Sequence, residues 1–193
     1  ALTTVLARRG LCPTSVATEV SQAIRALTPE EVYAEEAIPH HSVRALVNCI
    51  NRRISPEAKP FVHFSATSCD ITDTARVLQY RDVTTQMIIP QLRELMQIWI
   101  RIVRSEACTL QIGRTHGQHA VPITFGFAMA EYTSRLGNRL VVIEQTTAAL
   151  RGKMAGAVGA YNASALFFAD PEAFEREVLA ELGLAPSTHS TQI

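Results

Sequence analysis

The sequence has no excess of charge of either sign, because Lys plus Arg and Asp plus Glu each number 18 in 193 residues. A chain without net charge or a basic block has little electrostatic attraction for nucleic acid or for an acidic membrane surface. We therefore expect neither as a partner. The composition, 47% hydrophobic and 19% charged, is typical of a globular protein with a core.

Paired cysteines and long uncharged runs are also missing. The four cysteines show no CxxC pair and no regular spacing, which predicts reduced thiols and a cytoplasmic location. The most apolar stretch, MIIPQLRELMQIWIRIV, contains Arg93, Glu94 and Arg101, whereas a membrane-spanning helix needs about 20 nearly uncharged residues. The first ten residues, ALTTVLARRG, have no uninterrupted apolar core and do not predict a signal peptide.

No stretch of the sequence alternates apolar and polar residues as a strand does. Apolar residues recur with the periodicity of a helix instead. Helices are predicted over residues 1–9, 14–27, 28–35, 41–54, 74–108, 125–150 and 171–182. Thr28 and Glu31 form a capping-box pattern at one helix start, and Pro90 predicts a kink or junction in a long helix. We expect an all-α fold, with a small helical domain at 1–73 followed by the first part of a long-helix bundle at 74–193.

The two longest predicted helices carry apolar seams with steps of three and four residues, as in coiled coils. The seam positions are Ile88, Leu92, Leu95, Trp99 and Ile102 in the first, and Met129, Tyr132, Leu136, Leu140 and Ile143 in the second. Helices of about 25 to 35 residues are about 40 to 50 Å long, and a chain of this size cannot cover both. We expect an exposed apolar face that contacts another subunit.

Unusual polar residues cluster at four helix junctions: PHHSVRA, VHFSATSCDITDTA, GRTHGQHAVPITFG and STHSTQI. In the second cluster, Thr67, Ser68 and Asp70 are natural helix starters, so capping alone could account for them. A helix start with hydroxyl groups is also a suitable seat for a carboxylate or a phosphate. The glycine-rich segment GKMAGAVGAYNAS lacks the order of a nucleotide-binding loop and is interpreted as a tight, flexible connection.

The third cluster, GRTHGQHAVPITFG, is too rich in Gly and Pro for a helix interior and too polar for a strand. His116 in this loop could act as a general acid, because a histidine titrates near neutral pH. A zinc site needs three or four ligands, and His116 with His119 would have to recruit distant histidines, so we expect no metal. A structural role is the alternative for any single histidine, but each of the four clusters contains at least one.

Together these segments resemble the fumarase/aspartase superfamily and, within it, the adenylosuccinate lyase family. HFSATSCDITDTA is similar to the family's His-x-x-x-Thr-Ser-x-Asp segment, and GRTHGQHAVPITFG to its Thr-His-Gly-Gln loop. HHSVRA is similar to its His-Asp-Val segment, and STQI to its Thr-Gln segment. The four motifs occur in the family order over nearly the whole chain.

The resemblance implies a β-elimination that breaks a C–N bond and releases fumarate, without a metal or an organic cofactor. The implied substrates are adenylosuccinate and the succinyl-carboxamide ribotide of purine synthesis. The implied site residues are His116 as general acid, Thr115 as its support, Thr67, Ser68 and Gln192 as carboxylate ligands, His41 near the nucleotide phosphate, and His63 as a supporting residue. The resemblance also implies a homotetramer whose active sites combine residues from three subunits.

The sequence departs from the family in three places. The family's catalytic serine lies on a Gly-Ser-Ser-x-Met-Pro-x-Lys-x-Asn loop, and no such segment occurs in these 193 residues, nor does the usual Arg-Tyr phosphate contact. Ser42 stands where the family usually has Asp. We therefore expect the 193 residues alone to be inactive.

Two classes of alternative remain. One is another lyase of the superfamily, such as argininosuccinate lyase, aspartase, fumarase or a carboxymuconate cycloisomerase. The cycloisomerases tend to have Trp at the position of His116, so this histidine favours adenylosuccinate lyase. The other alternative is a non-catalytic helical oligomerisation protein, which the missing serine loop favours and the four site clusters oppose.

Overall fold

The structure is a computed structural model that describes residues 1–192, and helices make up most of it. The α-helices are α1 (Leu2–Arg8), α2 (Thr14–Arg25), α3 (Pro29–Glu36), α4 (Ser42–Asn51), α5 (Ser68–Val83), α6 (Ile89–Ser105), α7 (Phe125–Ala148) and α8 (Pro171–Ala180). Short 3-10 turns occur at Lys59–Phe61 and Ser164–Leu166, and a π-helical turn at Thr84–Ile88. The strands are β1 (Leu110–Thr115), β2 (Gln118–Thr124), β3 (Arg151–Gly152) and β4 (Ala185–Pro186). This confirms the predicted helical fold.

The chain divides into two compact units by its internal contacts. The first unit contains Ala1–Leu78 and Arg151–Ile193, and the second contains Gln79–Leu150. The sequence predicts a different division, into 1–73 and 74–193, at the predicted start of the first long helix. That division into domains stays a prediction.

The first unit has a hydrophobic core built from several short helices. The core includes Val5, Leu6, Val16, Val20, Ile50, Met154, Phe168, Phe174 and Val178. Phe168 and Phe174 stack with their ring centroids 4.1 Å apart, and the Arg9 guanidinium lies 5.2 Å from the centroid of Phe168. Arg9 also forms an ion pair with Glu177 at 2.8 Å, so its guanidinium contacts both the aromatic stack and a carboxylate.

The second unit is a helical hairpin in which α6 packs against α7. Gly126 permits this close approach, because a Cβ atom there would lie 2.6 Å from the Val103 carbonyl oxygen. Arg93 and Glu144 add an ion pair at 2.7 Å. Pro90 lies two residues after the end of the π-helical turn, which confirms the predicted irregularity, because proline lacks the N–H that the α-helical ladder requires.

The expectation that residues 113–126 contain no strand is wrong. β1 and β2 form an antiparallel hairpin, with Leu110 opposite Thr124 and Thr115 opposite Gln118. The register shifts beside Gly113, whose absent side chain leaves room for the Val121 carbonyl oxygen. Most of the hairpin is exposed, and without a buried face no apolar alternation is required of its sequence.

The interpretation of residues 152–164 as a flexible connection is also wrong for its first half. Residues 152–156 are all buried, and β3 pairs in parallel with β4. Glu175, itself buried, accepts hydrogen bonds from the Met154 N–H at 2.7 Å and from the Tyr161 hydroxyl. Among residues 1–192, no helix is long and apolar enough to cross a membrane.

Candidate functional site

The first feature of the candidate site is a contact between His41 and Ser68, two residues that the sequence analysis placed in separate motifs. His41 precedes α4, and its Nδ1 accepts a hydrogen bond from the Arg44 N–H at 3.3 Å. An Nδ1 that accepts carries no proton, so the Nε2 of the neutral ring carries it and donates to Ser68 Oγ, 3.2 Å away. The hydroxyl proton of Ser68 is then available to a ligand.

A cleft of about 620 Å³ lies beside this pair. His41, Arg44, His63 and Ser68 line it together with apolar residues of the first unit. The cleft adjoins the amino-terminal ends of α4 and α5, where the partial positive charge of the helix dipole favours anions. The exposed guanidinium of Arg44 adds a full positive charge to the same cleft.

His63 is held in a strained backbone conformation at the edge of this cleft, with a φ of 62°. Its Nε2 atom is buried and has no hydrogen-bond partner among the described residues. Burial lowers the pKa of His63, while a hydrogen bond with the backbone of Thr67 and the negative charge of Asp70 partly oppose this effect. His63 therefore favours its neutral form, in which a ring nitrogen can donate to or accept from a ligand.

The start of α5 is stabilised by Asp70. Its carboxylate accepts a hydrogen bond from the Thr67 N–H at 2.8 Å, which completes the backbone turn that presents Thr67 and Ser68. This bond is the one that the third residue of a helix makes back to the residue before the helix, so the capping interpretation of this cluster holds for Asp70. The Ser68 hydroxyl instead lies within hydrogen-bond distance of His41 Nε2.

Gln192 is attached to the same part of the first unit. Its carbonyl oxygen accepts a hydrogen bond from the Lys153 ammonium group at 2.9 Å, and Lys153 forms a buried ion pair with Asp70 at 3.0 Å. Ile193, the last residue of the STQI motif, lies outside the described residues.

His116 and Thr115 lie in the second unit, at the tip of the β1–β2 hairpin. His116 and Gly117 have φ values of 53° and 70°, which is the geometry of a type I′ turn. The side chain of His116 is exposed at this tip, and Thr115 pairs with Gln118 to close the turn. Both predicted catalytic residues therefore belong to the second unit, and the five predicted ligand-binding residues belong to the first.

Sequence reasoning missed two contributors to the site. Arg44 carried a signal, since it lies three residues after His41 on the first turn of a helix. Lys153 carried none, because its partner Asp70 is 83 residues away in the chain. In the part of the chain that the structure describes, no group of three His, Cys, Asp or Glu side chains could hold a metal ion.

Comparison with known proteins assigns the chain to a family. The lyase family, described simply as Lyase, matches residues 6–192. An adenylosuccinate lyase of Archaeoglobus fulgidus is 34% identical over 194 residues, covering 100% of this chain and 42% of that protein. An N-acetyl-S-(2-succino)cysteine lyase of Enterococcus italicus is 30% identical over 188 residues, covering 93% of this chain and 39% of that protein.

Solved structures give the same result. A fumarate lyase from Mesorhizobium sp. BNC1 superposes with a TM-score of 0.87 and 28% identity, covering 98% of this chain and 44% of that one. A 3-carboxy-cis,cis-muconate lactonizing enzyme from Pseudomonas putida superposes with a TM-score of 0.85 and 28% identity, covering 97% and 43%. The chain thus spans about two fifths of the curated relatives it matches. On these matches and this helical fold, the chain belongs to the lyase family of the fumarase/aspartase superfamily.

Proposed function

We propose that the chain is part of an adenylosuccinate lyase, which eliminates fumarate from adenylosuccinate and from the succinyl-carboxamide ribotide. The observation that carries this proposal is the contact of His41 with Ser68 beside a cationic cleft, in a chain of the lyase family. A succinyl group has two carboxylates, and hydroxyl groups at a helix start next to Arg44 suit such a ligand.

In the proposed reaction, a base removes a proton from the carbon next to one carboxylate. The electron pair of that C–H bond forms the double bond of fumarate as the C–N bond breaks. The leaving nitrogen takes a proton from His116, which Thr115 supports. Thr67, Ser68 and Gln192 bind the carboxylates, where negative charge develops during proton removal.

The remaining cleft residues have binding roles in this proposal. His41 and Arg44 face the phosphate of the nucleotide, and the neutral ring of His63 supports the bound ligand. No metal or organic cofactor enters the reaction. The base comes from a serine loop outside these 193 residues, so the 193-residue chain alone is inactive, and the natural protein acts in the cytoplasm.

A homotetramer with composite sites is part of the same proposal. Its support is the exposure of large apolar side chains on the second unit. Among them are Tyr80, Met87, Leu95, Ile98, Phe127, Tyr132 and Val141. Partner subunits that cover this face also offer a way to bring the His116 turn of one chain to the cleft of another.

A second candidate substrate is N-acetyl-S-(2-succino)cysteine, whose elimination breaks a C–S bond. The observation that favours it is Ser42, which replaces the usual Asp of the segment near the nucleotide, together with the similarity to a lyase of that name. This substrate keeps the succinyl group and lacks the nucleotide phosphate. The carboxylate-binding residues therefore have the same role for both candidates.

The test compares both substrates with the natural-length protein, whose intact mass is recorded on the same sample. We expect fumarate release from adenylosuccinate with a kcat/KM at least about tenfold above that for the succinocysteine, and none from the 193-residue chain. The reverse preference would transfer the assignment to the second substrate. If the natural-length protein releases fumarate from neither compound, the assignment as a fumarate-releasing lyase is wrong.

A further inference from the structure

The buried ion pair of Asp70 and Lys153 joins three separate segments of the first unit. The side chain of Asp70 is 0% exposed and that of Lys153 is 8% exposed. Asp70 accepts from the Thr67 N–H at 2.8 Å, from the Gly156 N–H at 3.1 Å and from Lys153 at 3.0 Å. The start of α5 and the loop after β3 therefore share one carboxylate.

Lys153 extends this connection to the third segment. Its ammonium group donates to Asp70, to the Gly156 carbonyl at 3.1 Å and to the Gln192 carbonyl at 2.9 Å. These three acceptors account for all three protons of the group. Lys153 therefore has no proton left for a substrate, and its contribution is to hold backbone segments in place.

Two further contacts hold the same segments together. Thr74, one turn after Asp70, accepts from the Lys153 N–H and donates to the Lys153 carbonyl, both at 3.0 Å. A Cβ atom at Gly159 would lie 2.2 Å from the Ser190 carbonyl oxygen, so the loop and the segment before Gln192 touch backbone to backbone. Only glycine fits at this contact.

We propose that Lys153 is a positioning residue that fixes the start of α5 and Gln192 relative to each other, so that both reach one dicarboxylate ligand. A buried ammonium group without its acceptors is strongly unfavourable, so the pair is stable only when all three segments are in place. The network thereby selects one arrangement of Thr67, Ser68 and Gln192. The identity of the ligand rests on the proposed function, whereas the coupling of the segments does not.

The test uses the natural-length protein and a variant that removes both charges together, Asp70→Asn with Lys153→Met. Neutralising both partners avoids leaving one buried charge unpaired, and the asparagine amide oxygen would keep an acceptor for the backbone N–H groups. The matched control is Tyr161→Phe, which removes a hydrogen bond to Glu175 at the far end of the same loop. Within the described residues, neither Tyr161 nor Glu175 forms a hydrogen bond with the start of α5 or with Gln192.

Hydrogen exchange without ligand is the first measurement, on peptides that cover residues 65–72 and 186–192. We expect both peptides of the double variant to exchange about tenfold faster, and those of the control to stay at the parental rate. Fumarate release is the second measurement. We expect KM to rise about tenfold or more with a smaller change in kcat, because misplaced ligand groups weaken carboxylate binding.

Each result decides the proposal. The positioning role is overturned if both peptides of the double variant exchange at the parental rate, or if only one of them exchanges faster. It is also overturned if KM is unchanged. If the double variant does not fold, Lys153→Arg replaces it, because a planar guanidinium cannot meet the same three acceptors, and the same two peptides are compared. If the parent protein releases no fumarate, the proposed function fails while the exchange comparison still decides the coupling.

Discussion

The two units of the chain differ in where their stability comes from. The first unit buries a continuous core, including Leu6, Phe174 and Val178, together with the Asp70–Lys153 pair. Of the buried hydrophobic side chains in residues 1–192, the second unit contributes only Ile89 and Leu140. Buried apolar area is the main source of stability, so the first unit has its own core and the second has little.

This difference separates two kinds of functional residue. In the first unit, the proposed ligand-binding residues depend on buried contacts: the start of α5 rests on Asp70, and Gln192 rests on Lys153. In the second unit, His116 lies on an exposed turn that is closed by local pairing of Thr115 with Gln118. Under the proposed function, a substitution of His116 should therefore change chemistry without changing packing, and a substitution in the Asp70 network should change both.

The largest expected effect is the loss of turnover in His116→Asn of the natural-length protein, in which asparagine removes the imidazole and tolerates the positive φ of this turn. Removing a general acid lowers kcat by about 10²- to 10⁴-fold, while an exposed turn residue contributes little to folding. We therefore expect an unchanged Tm and an unchanged oligomer. His119→Asn is the matched control, since His119 is exposed on the same hairpin. Turnover within a few-fold of the parent would remove His116 from the reaction.

A smaller effect, on stability, compares one large side chain from each unit. Phe174 is fully buried, and Phe174→Ala should lower the free energy of unfolding by about 3 to 5 kcal/mol. Leu95 is 36% exposed, and Leu95→Ala should cost less than about 1 kcal/mol in the 193-residue chain. Urea denaturation measures both. Equal losses would show that the face of Leu95 is covered in solution, and the contrast between the units would then disappear.

Helices could be predicted where local chemistry decides the structure. The pattern of Thr28 with Glu31 predicted a capping box, and both of its hydrogen bonds are present. The helix predicted over residues 171–182 likewise begins at Pro171, where Asp170 accepts from the Ala173 N–H. In each case the residues that form the contact lie within a few positions of each other, so their spacing in the sequence is enough to predict it.

The β-hairpin and the buried loop could not be predicted in this way. Strand assignment rests on alternating burial, and β1 and β2 have no fully buried face within the described residues. The loop after β3 resembles a linker in composition, because its glycines permit close backbone contacts such as that of Gly159 with Ser190. The partner of Lys153 lies in a helix that is distant in the sequence, and residue spacing cannot predict such a contact.

Two helix caps allow a finer comparison of the units. Thr28 accepts from the Glu31 N–H at the start of α3, and Thr124 accepts from the Phe127 N–H at the start of α7. Each threonine-to-alanine substitution should cost about 1 kcal/mol. If the two units unfold together, both variants shift one common transition in thermal unfolding of the 193-residue chain. A shift confined to a separate transition in Thr124→Ala would show that the second unit unfolds independently.

The smallest expected effect is the pH dependence that His63 adds to the first unit. Burial lowers the pKa of His63 in the folded state below the value of about 6.5 in an unfolded chain. Between these two pKa values the unfolded chain binds more protons, so the stabilising contribution is complete above about pH 6.5 and is lost as the pH falls toward the folded pKa.

The variant His63→Asn tests this pH dependence, because asparagine tolerates the positive φ of this position. We expect the free energy of unfolding of the parent to fall from about pH 7 to pH 5.5, a range that lies above the titration of most carboxyl groups. The variant should show a flatter profile over the same range. Parallel profiles would mean that the buried ring of His63 gains a partner on protonation, and its neutral role beside the cleft would then be wrong.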